Sequence, residues 1–150
     1  MAVASRFKGY NAGHNKAEMY SHSTSSWKTK AIYPFHEKIM AFEILAHSNS
    51  FVLFGGFDGK ISSSITTIAK FNPDLNKWTK LGNLQTGRHA FGLVEINMKY
   101  LVMGGQGGKS TETCELKNET IECTSREPTL NNFHYYPALM IVPADYADNC

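Results

Sequence analysis

The chain repeats itself about every 50 residues, and this repeat constrains the fold more than any other feature of the sequence. FVLFGGFDG (51–59) and YLVMGGQGG (100–108) each end an apolar run in two consecutive glycines, 49 positions apart. A weaker third copy, RFKGYNAG (6–13), has Lys8 in place of one glycine. Self-similarity at a fixed period is typical of architectures in which each unit is one supersecondary structure.

A second feature follows the glycines in the same order. Each copy precedes two apolar residues seven positions apart, which are Tyr20 and Trp27, Phe71 and Trp78, and Cys114 and Ile121. Between Phe71 and Trp78 the residues Asn-Pro-Asp signal a turn. We therefore expect these two rings to lie opposite each other across a β-hairpin and to fill the gap between adjacent sheets. Trp27 is assigned the same structural role.

The glycines of the second and third units are predicted to end a strand, because a residue without a side chain permits close backbone approach. They are Gly55, Gly56, Gly104 and Gly105. β-branched and aromatic residues dominate the neighbouring segments, and long amphipathic helical patterns are missing from the sequence. Four strands are predicted in the second unit, at 39–46, 51–55, 65–71 and 77–81, and four in the third, at 90–96, 100–104, 111–117 and 120–124.

A four-stranded unit of about 50 residues, with a Gly-Gly pair and then an aromatic–tryptophan pair, resembles the kelch repeat, one blade of a β-propeller. The second unit matches best, through Gly55, Gly56, Phe71, Trp78 and Arg88. Phe71 stands where the family usually has tyrosine; in the third unit Cys114 takes the aromatic position and Ile121 replaces tryptophan. The resemblance covers about residues 6–142. It implies an all-β fold of kelch-type propeller blades, each a four-stranded antiparallel sheet.

Length predicts an incomplete ring, because propellers close with about 4–8 blades and this chain carries about three blade equivalents. We expect one partial propeller over residues 1–150, with blade parts at about 1–31, 32–81, 82–126 and 127–150. Residues 7–31 are predicted to be the last three strands of a blade, and 135–142 a first strand alone. The favoured interpretation is a fragment of a larger protein. The alternative is a homodimer in which that last strand completes the first blade of a second copy, giving a closed six-bladed ring.

Charge and composition argue against several classes of function. The 15 Lys and Arg residues nearly balance the 13 Asp and Glu residues, and no basic run suggests a nucleic-acid or membrane-surface footprint. No apolar run approaches the ~20 residues of a membrane-spanning helix. Residues 1–15 lack the apolar core of a secretory signal. MGGQGGKST (103–111) is not a phosphate-binding loop, because Met103 stands where that motif needs its first glycine.

Antiparallel strands alternate in direction, so loops 57–64 and 106–110 are predicted to lie beside the connections 32–37, 82–89 and 126–135. In kelch proteins this face commonly receives a protein or peptide partner, so the resemblance implies a non-catalytic interaction module without a cofactor. Exposed aromatic and arginine side chains dominate interfaces. The candidate ligand-binding residues are Tyr33, Phe35, His36, Phe57, Asp58, Arg88, His89, Gln106, Phe133, His134 and Tyr135. For each of them, bracing of neighbouring blades is the alternative role.

Catalytic and metal signals are weak. His36, His89 and His134 recur at one place in the repeat, but equivalent positions of neighbouring blades lie too far apart to share a metal ion. The sequence contains no H-x-x-x-H, C-x-x-C or G-x-S-x-G motif. The alternative function is a fragment of a propeller enzyme of the galactose oxidase type, a copper carbohydrate oxidase, although no stretch matches such a copper site.

CELKNETIEC (114–123) suggests two covalent modifications. A two-residue turn at Asn118-Glu119 would place Cys114 directly opposite Cys123, close enough for a disulfide. Asn118 also begins an N-glycosylation sequon at the tip of that turn. Together they favour an extracellular or secretory-pathway protein. The alternative is that both cysteines are free thiols in the core and that the sequon arose by chance; Cys150 would be the unpaired cysteine.

Overall fold

The computed structural model describes residues 2–4 and 18–126, together with residues 136, 137, 139 and 141. Every regular element in this part of the chain is a β-strand, which confirms the all-β prediction. The strands are β1 Ala2–Ala4, β2 Glu18–Ser21, β3 Ser26–Thr29, β4 Ile39–Met40, β5 Glu43–His47, β6 Ser50–Phe54, β7 Phe57–Asp58, β8 Ser63–Ser64, β9 Thr67–Asn72, β10 Lys77–Asn83, β11 Gly92–Ile96, β12 Lys99–Met103, β13 Thr111–Lys117 and β14 Thr120–Arg126. No helix among the described residues is long and apolar enough to cross a membrane.

Two antiparallel four-stranded meanders form the centre of the molecule, as the repeat predicts. Unit 2 consists of β5, β6, β9 and β10, and unit 3 of β11 to β14. Unit 1 is the three-stranded sheet β1–β2–β3. The glycine pairs follow β6 and β12 directly, at Gly55 and Gly104, and both glycines have positive φ. The predicted strand 39–46 is divided into β4 and β5, because Ala41 adopts a left-handed conformation with φ 50°.

Units 2 and 3 are joined into one eight-stranded sheet, a connection that the sequence does not predict. Their last strands, β10 and β14, run parallel and pair Gly82 with Ile121 and Asn83 with Glu122. A side chain at Gly82 would collide with the backbone oxygen of Ile121, so this contact needs glycine. The loop 57–64 also contains structure that was not predicted. Its ends form β7 and β8, which make a small sheet with β4.

The core has two layers, one on each face of unit 2, so β6 is buried on both sides. The first layer lies between units 2 and 3 and consists of Val52, Phe54, Ile68, Leu81, Leu84, Phe91, Tyr100, Val102, Cys114, Ile121 and Cys123. The second covers the opposite face and consists of Tyr33, Ile39, Phe51, Leu53, Ile65, Ala69, Phe71 and Trp78. The predicted hairpin is present: Phe71 lies opposite Trp78 with ring centroids 5.1 Å apart.

Neither of the other two pairs seven residues apart combines a directly opposite placement with the burial of Trp78. In unit 3 the turn has only two residues, so Cys114 lies opposite Cys123, and Ile121 lies opposite Leu116. In unit 1 Trp27 does lie opposite Tyr20, but Trp27 is 51% exposed, so the expectation that it is buried like Trp78 is wrong. The weak glycine copy at 6–13 lies outside the described residues.

The predicted C-terminal strand 135–142 also lies largely outside the described residues. Among those that are described, the Tyr136 amide donates a hydrogen bond to the Ala90 oxygen at 2.7 Å. The side chain of Leu139 lies against Gly92 at the start of β11.

Candidate functional site

The loops at one end of units 2 and 3 are hydrogen-bonded to each other. This "loop end" comprises the connections 32–38, 55–66, 84–91 and 104–110; the opposite "hairpin end" carries the tight turns of both units. The Gly56 amide donates to the Arg88 oxygen at 2.9 Å, and His89 exchanges two backbone hydrogen bonds with Gln106, at 2.9 and 3.1 Å. Loops 57–64 and 106–110 therefore both lie beside the connection between units 2 and 3.

A partly exposed aromatic and polar patch forms where these loops meet. The Phe57 ring packs edge-on against the His89 ring with centroids 5.0 Å apart. Ser64 Oγ lies 2.8 Å from His89 Nδ1, and Gln106 is exposed beside them. Burial lowers the pKa of His89, which favours a neutral ring that can both donate and accept hydrogen bonds. We call Phe57, Ser64, His89 and Gln106 the Phe57–His89 patch.

Ile61 is an apolar side chain that sequence reasoning did not single out at this end. It lies in the turn between β7 and β8 and is 60% exposed. The only sequence signal was an isoleucine inside a glycine- and serine-rich loop, GKISSS, where a polar residue would be ordinary. An exposed isoleucine together with the half-buried Phe57 gives the loop end an apolar surface to present.

His36 forms a separate cluster whose polar atoms are mostly satisfied within the protein. Its Nδ1 lies 2.8 Å from Asp58 Oδ2 and its Nε2 lies 3.0 Å from Thr67 Oγ1. The Lys60 amide donates to the second Asp58 oxygen at 2.8 Å. Burial alone would raise the pKa of Asp58, but the hydrogen bonds from Lys60 and His36 outweigh it and hold that pKa below its usual value. Asp58 therefore stays ionised and braces the loop.

Tyr33 and Phe35 also pack inward at this end. Tyr33 is 2% exposed, and its ring contacts Trp78 edge-on with centroids 4.9 Å apart. Phe35 is partly buried against Tyr33, with centroids 5.3 Å apart. Burial strongly raises the pKa of Tyr33, whose hydroxyl has no hydrogen-bond partner among the described residues. The expectation that Tyr33 and Asp58 present exposed side chains to a ligand is wrong, since both side chains are buried.

The prediction that Arg88 contacts a ligand is also wrong, because its side chain is fully buried. The guanidinium donates to Glu112 Oε1 at 2.7 Å, to Ser110 Oγ at 2.9 Å and to the oxygens of Ser110 and Gly104 at 2.8 and 3.1 Å. Arg88 therefore braces the connection between units 2 and 3 against β13, which is the alternative role given for it in the sequence analysis. It cannot contact a ligand at the surface.

Glu112 is a second residue that the sequence analysis did not identify. Its carboxylate accepts hydrogen bonds from the Gln85 amide at 2.7 Å and the Thr86 amide at 3.1 Å, in addition to Arg88. Glu112 and Cys114 lie two residues apart on β13, so both side chains point to the face that packs against unit 2. A carboxylate at an inward position of a strand is a signal for a buried cationic partner, since buried charges are paired.

The remaining predicted residues have these placements. Phe133, His134 and Tyr135 lie outside the described residues. Cys114 and Cys123 are joined by a disulfide with an S–S distance of 2.09 Å. Asn118 is exposed at the apex of the β13–β14 turn with φ 47°. Within the described ranges, the group of side chains that could hold a metal ion is Glu112 with these two cysteines, but the disulfide and the contacts of Glu112 already occupy those atoms.

Comparison with known proteins identifies a family motif in unit 2. The pattern that defines the Kelch motif matches residues 41–85. Kelch-like protein 11 of Homo sapiens is 41% identical over 44 residues, which are 29% of this chain, and the Mus musculus protein of the same name matches equally. The chain aligns with only 6% of the length of these relatives.

A solved structure, that of YjhT, a kelch-type propeller, has the same fold. It superimposes on 80% of this chain with a TM-score of 0.68, at 12% sequence identity. The alignment spans 45% of that structure. The superposition covers far more of the chain than the motif match, so it extends the propeller fold beyond residues 41–85.

Proposed function

Because this chain carries a kelch repeat and is built from kelch-type β-propeller blades, we propose that it is a non-catalytic interaction module that binds a protein or peptide ligand through its loop end. The Phe57–His89 patch carries this proposal. It combines a half-buried aromatic ring with hydrogen-bonding groups at a junction of two blades. Aromatic anchors surrounded by polar groups are typical of protein interfaces.

The positioning of the patch supports rigid recognition. The two backbone hydrogen bonds between His89 and Gln106 fix one side of it, and the ring contact with His89 fixes Phe57. Arg88, the residue before His89, forms a buried ion pair with Glu112 that holds the connection in place. A surface whose backbone is already ordered loses little conformational entropy on binding. The proposed contact residues are therefore Phe57, Ile61, His89 and Gln106, with His36 and Phe35 at the margin.

Peptide selection from a random displayed library, with the purified chain as bait, tests this function. We expect selected peptides to lose about tenfold or more in affinity on Phe57→Ala or Gln106→Ala, as hot-spot residues do. Met98→Ala is the matched control, because Met98 is an exposed apolar residue at the hairpin end, 79% accessible. Equal affinity of all three variants for every selected peptide would overturn the assignment of the loop end.

We also propose that residues 1–150 form one partial propeller, which either belongs to a longer chain or closes as a homodimer. The exposure of Trp27 supports this proposal, because the corresponding ring of unit 2, Trp78, is only 8% exposed. Light scattering of the purified chain distinguishes the two forms, and a monomer at all concentrations would exclude the homodimer. For the alternative of a copper oxidase fragment, copper retained by the purified chain would be the decisive positive result.

A further inference from the structure

A cavity of about 290 Å³ lies at the hairpin end, on the opposite side of the molecule from the loops. It opens between the facing sides of units 2 and 3. Val52 and Leu81 of unit 2 and Tyr100 and Leu116 of unit 3 supply its apolar walls. Its size is just below the range typical of drug-sized ligand sites, roughly 300–1,000 Å³, and suits a small ligand with one ring.

Two lysines line the same cavity from one face of unit 2. Lys70 lies opposite Thr79 in the β9–β10 register, and Lys77 precedes Thr79 by two residues on the same face. Diagonal neighbours of this kind are about 7–8 Å apart, so two flexible ammonium groups can reach one carboxylate. Neither lysine has a carboxylate partner within the described part of the chain. A bound carboxylate would supply both ammonium groups with the opposite charge that they lack.

The unit 3 side of the cavity adds a fixed polar group and one opposing charge. The Tyr100 hydroxyl lies 3.1 Å from His47 Nδ1, which orients both side chains at the cavity wall. Burial, and secondarily the Glu95 carboxylate, raises the pKa of Tyr100, so its hydroxyl remains uncharged. Glu119 is the one carboxylate among the lining residues. Two lysines against one glutamate leave the lining net cationic.

We propose that the hairpin-end cavity binds a small organic carboxylate with a flat apolar body. The carboxylate pairs with Lys70 and Lys77, and the apolar body lies against Leu81, Tyr100 and Leu116. Charge complementarity selects the acid, and the apolar walls select a ring over a short hydrophilic acid. The site is separate from the Phe57–His89 patch and does not depend on the proposed peptide binding.

Phenylacetate is the probe, with phenylacetamide as its uncharged counterpart of the same shape. Backbone amide NMR spectra of the complete chain, recorded during titration, report both affinity and location. We expect phenylacetate to shift the signals of the lining residues with a Kd of about 1 mM, the affinity ordinary for a ligand of this size. Phenylacetamide should bind about tenfold more weakly, because it lacks the charge-assisted hydrogen bonds.

Variants of the lysines and of Glu119 should change the affinity for phenylacetate in opposite directions, which tests whether the lysines bind its carboxylate. Lys70→Gln with Lys77→Gln should weaken phenylacetate binding about tenfold, whereas Glu119→Gln should strengthen it about twofold. Lys80→Gln is the matched control, because Lys80 is exposed on the other face of β10, and it should leave the affinity unchanged.

Equal binding of the amide, an unchanged affinity in the double variant, or no shift at the lining residues up to about 20 mM phenylacetate, some 20-fold above that Kd, would overturn the proposal. Peptide binding at the loop end is measured separately, so either proposal can fail alone.

Discussion

Units 2 and 3 share one topology but are held to their preceding connections by different chemistry. In unit 2 the indole of Trp78 donates to the Ala31 oxygen at 2.9 Å and packs on Tyr33, so an aromatic cluster anchors the hairpin β9–β10. In unit 3 the carboxylate of Glu112 takes the corresponding role, since it binds Arg88 and the amides of the connection before β11. The anchor of unit 2 is therefore aromatic, and the anchor of unit 3 is ionic.

The outer hairpins show the same contrast. Phe71 and Trp78 fill the cross-strand position in unit 2, whereas the disulfide Cys114–Cys123 fills it in unit 3. The rings reach across to the neighbouring connection, but the disulfide links only two adjacent strands. The blade therefore requires a buried cross-strand pair and an anchor to the preceding connection, and it accepts more than one chemistry for each. In unit 3 these two tasks are divided between the disulfide and the ion pair.

The largest expected effect is the loss of the aromatic anchor. Trp78→Ala should lower the free energy of unfolding by about 3–5 kcal/mol, because it removes a buried ring that contacts Tyr33, Phe51 and Phe71. Urea unfolding measures the loss. The matched control is Trp27→Ala, at the equivalent but half-exposed position, which should cost less than about 1 kcal/mol. Similar losses of unfolding free energy in the two variants would mean that the aromatic cluster around Trp78 does not anchor unit 2.

Breaking the ionic anchor should cost nearly as much. Arg88→Met leaves the Glu112 carboxylate buried without its cation, and we expect a loss of about 3 kcal/mol in urea. Salt should change this loss little, because buried pairs are weakly screened. Lys60→Met is the control, since its ion pair with Glu37 is exposed and screened by water, and it should leave the free energy of unfolding nearly unchanged. A loss for Arg88→Met no larger than this would show that the buried pair is not an anchor.

The disulfide should matter less than either anchor. Its cysteines are nine positions apart in the sequence, and the chain-entropy model gives about 3 kcal/mol for a loop of 15 residues and less for a shorter one. Cys114→Ser with Cys123→Ser should therefore cost about 2.5 kcal/mol. Peptide mapping without reduction, after free thiols are blocked, checks that the bond forms. Alkylation of both cysteines in protein from a secretory host would contradict the disulfide and the extracellular interpretation.

The strands and the Phe71–Trp78 hairpin could be predicted because their signals are local. Apolar alternation and a turn sequence lie within a few residues of each other, and they determine which side chains meet. The parallel pairing of β10 with β14 could not be predicted, because it depends on how two complete sheets pack. The hairpin β7–β8 was missed because two-residue strands carry no periodic pattern.

The candidate site was predicted less well than the fold. Loops 57–64 and 106–110 lie beside the connection 82–89, as strand alternation predicts, whereas the predicted connection 126–135 lies largely outside the described residues. The burial of Arg88 was not predictable from the loop itself, because its partner Glu112 is 24 residues away and either residue alone resembles a surface charge. Trp27 shows the opposite error. It follows an aromatic residue by seven positions, as Trp78 does, but its side chain is not buried. Spacing predicts which residues pair, but burial depends on what covers the sheet.

The smallest expected effect concerns the hydrogen-bonded Asp58 carboxylate, and its pH dependence distinguishes it from the Arg88–Glu112 ion pair. The pKa of Asp58 is held below its usual value in the folded state. Its stabilisation is therefore complete above the unfolded-state pKa, about 4, and is lost as pH falls through the lower folded-state pKa. Asp58→Asn should cost about 1 kcal/mol at pH 7, and the difference from the wild type should shrink below about pH 4. Urea unfolding across this range measures it, with Asp74→Asn as the exposed control, expected to differ from the wild type by less than about 0.5 kcal/mol. If the cost of Asp58→Asn stayed constant down to pH 3, the ionised carboxylate would not be what braces this loop.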